Sequence, residues 1–302
     1  MTTVVVAAKY VIIPRKDVIL PPLTSKVMKY IIESSNSRLA SLLSARKFLK
    51  PSSMSVLFLG NKPLYSESYS SEDRVLNARC GDALICKLAV ATSDNVSIEC
   101  FKEIEGSWST PYGYFKVALS ELEIVPLKYL SIGLSKIFKI LFITPTVLTA
   151  KHMVPPPLKD KSKSLPERHR LLPQPSFIFS YLLKLWNSIA GPEERIPGPG
   201  AGDWEAYKLG RLADVTLVEV DYRLRPVTVV IGRDSRGRLR RARGFTGWVI
   251  YECLSRKLLS IYDRLLALAT YLGVGRSRGI GLGMIKVTNL KLGGSESSQK
   301  KP

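Results

Sequence analysis

The strongest constraint on the fold is the order of apolar periodicities in the second half of the chain. A strand-like segment, a helix with one apolar stripe, two long alternating segments, a second helix and a last strand follow one another. They cover residues 137–148, 176–190, 214–231, 238–252, 254–272 and 284–292. This order predicts a β-α-β-β-α-β unit, the split ferredoxin-like arrangement.

The first half begins in the same way. Residues 4–13 form a buried strand in this interpretation, followed by a helix within "PPLTSKVMKYIIESS" with Thr24 or Ser25 as N-cap. A second helical stretch, "SRLASLLSARKFL", precedes strands at 55–59 and 83–91 and shorter strands to about residue 125. The second helix of the unit is not evident here. We predict an α+β protein with two tandem ferredoxin-like (β-α-β-β-α-β, RRM-like) domains, in residues 1–125 and 126–291, with a disordered tail over 292–302.

Composition limits the partners and the location. A formal charge of +20 over 302 residues favours a polyanion or an anionic membrane surface. The four cysteines show no C-x-x-C pair and there are only two histidines, which argues against a disulfide framework, a zinc site or a histidine-rich metal centre. The N-terminus lacks a basic leader, and lysines interrupt the apolar stretch 127–150. We therefore expect a cytoplasmic, nucleic-acid-facing protein without membrane span, metal or cofactor.

The segment "GVGRSRGIGLGMIKV", residues 273–287, joins the last helix to the last strand. We call it the glycine segment. It is not a dinucleotide fingerprint, because Arg278 occupies the third glycine position and the helix precedes the loop instead of following it. A helix C-cap explains Gly273, but it does not explain the four glycines that follow it in the segment. Bare backbone beside Arg276 and Arg278 favours a phosphate-bearing partner.

Six arginines and one acid, Asp234, lie between Gly232 and Arg243. Residues 233–237 are expected to form a hairpin turn. Strand alternation would place Arg238 and Arg240 on one face and Arg241 and Arg243 on the other. A solvated hairpin is the simpler interpretation, but this excess of arginine fits contacts with RNA phosphates better. Phe245 and Trp248 follow; base stacking is possible chemistry for them, and core packing is the expected role.

Five segments, in this order along the chain, resemble the CRISPR-associated endoribonucleases of the RAMP superfamily, in their archaeal, histidine-lacking variant. They are "LKPSSMSVLF" from Leu49, "ITPTVL" from Ile143, "LLPQPSFIFSYLLKLWN", "RGFTGWVIYE" from Arg243, and the glycine segment, which is the specific signal. The resemblance implies a basic cleft between two ferredoxin-like domains. It also implies metal-independent cutting of precursor CRISPR RNA within its repeats, leaving a 2′,3′-cyclic phosphate and a 5′-hydroxyl.

Many members of that family carry a histidine after the first helical region, where this chain has "LLSARKFLKP". His152 and His169 lie in a proline-rich loop and are expected to be exposed and non-catalytic. The resemblance points instead to lysines, and we expect Lys26, Lys29 and Lys50 to be catalytic. Lysines on a polar helix face are usually only solvated, and those near a helix end complement its dipole.

RNA contacts are expected from one further lysine, from the six arginines between Gly232 and Arg243, and from arginines and glycines of the glycine segment. They are Lys47, Arg233, Arg236, Arg238, Arg240, Arg241, Arg243, Gly275, Arg276, Arg278, Gly279 and Gly281. Two alternatives stay open at this stage. One is a protein of the same fold that holds crRNA or serves an effector complex without cutting, and the other is an unrelated basic protein binding tRNA, rRNA or DNA. A homodimer is a further expectation.

Overall fold

The computed structural model describes residues 2–35, 37–44, 49–68, 75–93, 98–160, 164, 169–198, 200, 202–233 and 236–290. The predicted disordered tail, 292–302, lies outside these ranges. In the described part of the chain, no helix is long and apolar enough to cross a membrane.

The first half is built on a seven-stranded antiparallel sheet. Its path runs β5-β4-β7-β1-β9-β8, with β3 pairing to β7, and β2 and β6 form a separate pair. The strands are β1 Val4–Pro14, β2 Val18–Leu20, β3 Ser52–Met54, β4 Phe58–Leu59, β5 Lys62–Pro63, β6 Leu76–Ala78, β7 Leu84–Thr92, β8 Gly106–Thr110 and β9 Gly113–Pro126. The helices are α1 Ser25–Ser34, α2 Arg38–Ser44 and α3 Glu99–Lys102.

The second half has a four-stranded sheet in the order β13-β14-β10-β15. Its strands are β10 Ile137–Thr146, β13 Leu217–Arg233, β14 Leu239–Cys253 and β15 Ile285–Leu290, and a short pair is formed by β11 Leu148–Thr149 and β12 His169–Arg170. Its helices are α4 Pro175–Ile189, α5 Asp203–Thr216 and α6 Arg256–Leu272. Phe138, Ile140 and Phe142 alternate along β10 and are buried in the same cluster as α4 and α6.

Both halves thus show the ferredoxin-like strand order, which confirms the predicted fold class. The helix that the first half seemed to lack is α3, whose four residues are too few to give a helical period. Thr24 is the N-cap residue of α1, but its hydroxyl donates to the Leu64 carbonyl at 2.6 Å and accepts from the Leu57 amide at 2.9 Å. It therefore ties α1 to the sheet instead of capping the helix.

Residues 203–216 form a helix that the apolar pattern did not predict. The predicted strand over 214–231 begins too early, because β13 starts at Leu217 and residues 214–216 are the end of helix α5. Its buried positions are Ala206, Leu209, Gly210 and Ala213. Three of these four residues are small, so their helical spacing gives a weak apolar signal.

A third apolar cluster joins the two halves. This bridging cluster contains Leu23, Val56 and Phe58 from the first half and Val147, Val229, Ala242 and Leu282 from the second. The β13–β14 hairpin thereby reaches the first half, where the Ser68 amide donates to the Thr228 carbonyl at 2.8 Å. Arg225 also donates to both carboxylate oxygens of Glu67, at 2.7 and 2.6 Å.

Candidate functional site

A cleft of about 830 Å³ opens where the two halves meet. Its walls come from α1, from the residues after α2, from the turn 150–153 and from the glycine segment. Among the described residues that line it, Glu33 is the one acid. Its basic lining residues, histidine apart, are Lys29, Lys50, Lys151, Arg240, Arg276 and Arg278. The cleft therefore has the charge that a phosphate backbone requires.

Lys26 lies about one turn before Lys29 on α1 and is not among the described residues that line the cleft. A Cβ atom built on Gly232 of the hairpin would come 2.5 Å from the Lys26 Nζ, so the ammonium group lies against the hairpin backbone. Gly232 is the cross-strand partner of Arg240, which lines the cleft. Burial, and secondarily the charge of Lys29, lower the pKa of Lys26.

Lys29 and Lys50 both line the cleft and are exposed. Lys29 pairs with Glu33, one turn further along α1, at 3.5 Å. The Lys50 Nζ donates to the Leu43 carbonyl of α2 at 3.3 Å. Of the three lysines expected to be catalytic, Lys29 and Lys50 line the cleft and Lys26 lies against the hairpin, and catalysis by them stays a prediction.

Arg278 is buried, with 5% of its surface exposed. Its Nη1 donates to the Leu272 carbonyl at the end of α6 at 2.6 Å, and its Nη2 donates to the Lys50 carbonyl at 2.7 Å. The guanidinium carbon also lies 5.6 Å from the centroid of the Tyr181 ring. These contacts fix the glycine segment to both halves, whereas contact between Arg278 and RNA stays a prediction.

Glycines of the glycine segment lie against this chain's own backbone. Gly281 has a φ of +98°, and a Cβ there would come 2.6 Å from the Val56 nitrogen. At Gly275 a Cβ would come 2.5 Å from the Val147 carbonyl oxygen. Gly279 differs, because a Cβ there would meet only the Lys50 Cδ, at 3.9 Å. Close packing within the chain therefore explains Gly275 and Gly281, and Gly273 caps α6 as predicted.

The arginine hairpin is exposed at all six arginines. The Arg233 Nη1 donates to the Gly237 carbonyl at 2.9 Å and closes the turn. On β14, Arg240 shares a face with Ala242, which is buried in the bridging cluster, while Arg241 and Arg243 point to the opposite face. This hairpin therefore presents Arg240 to the cleft, and RNA contact by the six arginines stays a prediction.

The expectation that His152 is an exposed loop residue was wrong. It lies in the 3₁₀ turn Ala150–Met153, is 5% exposed and lines the cleft. Its ring meets that of Tyr181 edge to face, with centroids 4.9 Å apart. His169 is partly buried and belongs to strand β12, so it is not an exposed loop residue either.

Sequence reasoning missed Lys151, His152 and Tyr181 as lining residues. They come from a turn and a helix more than a hundred residues from Lys29, and no local pattern marks them. Lys47, expected to contact RNA, lies outside the described residues. The same is true of Asp234 in the hairpin turn.

The sequence of the chain matches two family models and two relatives. Residues 6–125 match the model of the Cas6 N-terminal domain, and residues 140–285 match that of the CRISPR-associated endoribonuclease Cas6. Two Saccharolobus solfataricus proteins, CRISPR-associated endoribonucleases Cas6 1 and Cas6 2, are 33% and 32% identical over 288 and 289 residues. These alignments cover 93% and 94% of this chain and 96% of each relative.

A solved structure of Thermus thermophilus Cas6 has the same fold. Its TM-score is 0.58 at 18% identity, and the match covers 95% of this chain and 98% of that one.

Proposed function

Because the chain belongs to the family of the CRISPR-associated endoribonuclease Cas6, we propose that it cuts precursor CRISPR RNA within its repeats. A 2′-hydroxyl loses its proton to a base and its oxygen forms a bond to the adjacent phosphorus. The bond from phosphorus to the 5′-oxygen breaks, and an acid protonates that oxygen. The products are a 2′,3′-cyclic phosphate and a 5′-hydroxyl.

Lys26 is the base in this proposal. A protonated lysine cannot accept a proton, so a lysine base needs a lowered pKa. Burial beside the hairpin and the charge of Lys29 lower the pKa of Lys26. The single observation that carries the assignment is that this lysine with a lowered pKa lies against Gly232, the cross-strand partner of the cleft residue Arg240.

Lys50 and the cleft arginines supply the positive charge. Lys50 is exposed to the cleft while its backbone is fixed by Arg278, so its ammonium group can hold the scissile phosphate or protonate the leaving oxygen. Arg240 and Arg276 approach the same space from the second half of the chain. The negative charge on the phosphate oxygens increases as the 2′-oxygen adds to phosphorus. Cations that the fold already holds in position stabilise this charge without having to move during the reaction. On this basis the proposed cleavage needs no metal ion.

The experiment is a single-turnover cleavage assay in EDTA on a repeat RNA from the source genome. It compares the native chain with Lys26→Ala, Lys29→Ala and Lys50→Ala, and with Lys16→Ala as an exposed lysine away from the cleft. A parallel RNA carries a 2′-deoxy sugar at the cut. We expect one cut, blocked by the deoxy sugar, slowed by the cleft substitutions and unchanged in Lys16→Ala.

The absent histidine in "LLSARKFLKP" keeps one alternative under test, a protein of this family that holds crRNA without cutting it. Tight binding of repeat RNA with no product in this assay would establish that alternative. Equal binding of unrelated RNA would contradict both.

The organisation around this activity is also proposed. Residues 1–125 and 126–291 are the two domains, and the product passes to a CRISPR effector complex. A homodimer is the expected assembly. Light scattering of the purified chain, alone and with repeat RNA, measures the mass directly and would contradict the dimer if only the monomer mass is found.

A further inference from the structure

One face of the second half's sheet packs on helices α4 and α6, and the opposite face carries partly exposed apolar residues. Leu141, Trp248 and Ile250 alternate with buried core residues along β10 and β14. Within the described chain they belong to none of the three apolar clusters, and all three are partly exposed. Phe245 is buried and packs edge to face on Phe142, with centroids 4.9 Å apart, as expected. Trp248 does not enter the core, so that expectation was wrong for it.

Trp248 stands in the middle of a row that crosses all four strands. Arg223 of β13 pairs with Trp248, Trp248 pairs with Leu141, and Leu141 pairs with Lys286 of β15. Directly paired residues project to the same face of an antiparallel sheet. The row is therefore apolar and aromatic at its centre and cationic at both ends, and Arg223 and Lys286 are exposed.

The next row, Asp221, Ile250, Lys139 and Thr288, carries one acid and one cation. Its Lys139 lies over the Trp248 ring, with Nζ 4.2 Å from the ring centroid. Two carboxylates share this face, Asp221 opposite Ile250 and Glu252, which pairs with Lys136 at 2.6 Å. The described cations of this surface outnumber the acids.

We propose that this row binds unpaired bases of the RNA, an inference that rests on the proposed function. One base stacks on Trp248 by displacing the Lys139 ammonium group from the ring, and its neighbouring phosphates meet Arg223 and Lys286. Neighbouring strands lie about 4.8 Å apart, so these two cations are about 14 Å apart across the sheet and flank a base at the centre. Aromatic side chains on central strands of a sheet are a general means of holding single-stranded RNA.

The row is separate from the cleft. Among the described lining residues of the cleft, none belongs to it. The RNA would therefore contact the chain at two places, the cleft at the cut and the Trp248 row at an unpaired segment away from the cut. A nucleic acid fits this row better than an acidic protein partner, because flat aromatic surface between two cations matches alternating bases and phosphates.

The test measures equilibrium binding of repeat RNA with a 2′-deoxy sugar at the cut, so cutting does not enter the result. The RNA is used alone and with a short unpaired extension at its 5′ or 3′ end. We expect the native chain to bind one extended RNA more tightly than the repeat alone. Trp248→Ala should lose about tenfold in affinity for that extended RNA and nothing for the repeat alone. Trp248→Phe should retain most of the gain, because it keeps an aromatic ring.

Trp204→Ala is the matched control, since Trp204 is 46% exposed on α5 and lies outside the row. Thermal unfolding of each variant checks the fold. The proposal is overturned if no extension improves binding by the native chain, or if Trp248→Ala keeps that improvement. It is also overturned if Trp248→Ala weakens binding of both RNAs equally. None of these outcomes depends on whether the lysines cut, so failure here is distinguishable from failure of the proposed nuclease activity.

Discussion

The Nη2 atom of Arg278 lies 2.7 Å from the carbonyl oxygen of Lys50, although 228 residues separate the two along the chain. The other arm of the same guanidinium reaches the Leu272 carbonyl. A side chain expected to touch RNA is thus engaged with the backbone that carries a candidate catalytic lysine. We infer that Arg278 is a positioning residue for Lys50.

Arg278→Gln should slow cleavage by about 100-fold under single-turnover conditions while leaving RNA affinity unchanged. The reason is that a small displacement of Lys50 misaligns the reacting groups. The double variant with Lys50→Ala should be no slower than Lys50→Ala alone. A loss of affinity with a smaller salt dependence would instead identify Arg278 as a direct phosphate contact.

The cleavage rate should rise with pH as Lys26 loses its proton. The pKa of Lys26 is lowered, so this rise should occur below the ordinary lysine range. Lys29→Ala removes a neighbouring positive charge and should move the rise to higher pH, because protonated Lys26 then suffers less repulsion. Single-turnover rates across pH measure this shift. A rise that persists unchanged in Lys26→Ala would exclude Lys26 as the group that titrates.

Arg240→Ala should weaken RNA binding and reduce the slope of log affinity against log salt by about 1, as loss of one phosphate contact requires. The matched control is Arg211→Ala, an exposed arginine on α5 that does not line the cleft. Titrations at several salt concentrations give both slopes. Equal slopes for the two variants would place the RNA backbone away from the hairpin.

Gly281→Ala should destabilise the chain by about 2 kcal/mol or more, because a Cβ atom would meet the Val56 nitrogen in a backbone conformation that favours glycine. This corresponds to a fall in Tm of about 5 °C. Gly279→Ala is the control, since its Cβ would have ordinary contact distance only. Scanning calorimetry compares the two, and equal Tm values would refute this explanation of Gly281.

Periodicity revealed most of the architecture, because long strands such as β13 and β14 and the helices α4 and α6 carry strong apolar patterns. It failed at α3, which is too short for a period, and at α5, whose buried face is mostly small residues. Helix α5 does carry one capping signal at its N-terminus. Glu205, the third residue of the helix, accepts a hydrogen bond from the amide of the N-cap residue Gly202 at 3.0 Å.

The site was only partly accessible to sequence reasoning. Lys26, Lys29 and Lys50 were singled out by resemblance, and the fold places Lys29 and Lys50 in one cleft and Lys26 against the hairpin that reaches it. The burial of Arg278 and the cleft position of His152 depend on partners far along the chain, which no local pattern encodes. Trp248 was expected in the core and is partly exposed. Strand alternation shows which residues share a face of the sheet, but it does not show which face the helices cover.

The bridging cluster has a consequence for how the molecule unfolds. It buries apolar side chains of both halves against each other, so neither half can open without exposing surface that belongs to the other. The two halves should therefore melt together, in one calorimetric transition whose van't Hoff and measured enthalpies agree. Substituting Val229, which is fully buried there, by Asp should lower the Tm without splitting the transition, because Val5, Ala89 and Ala91 of the first half also belong to the core cluster of the second half. Cooperativity between the halves would then come from two apolar clusters that both of them share.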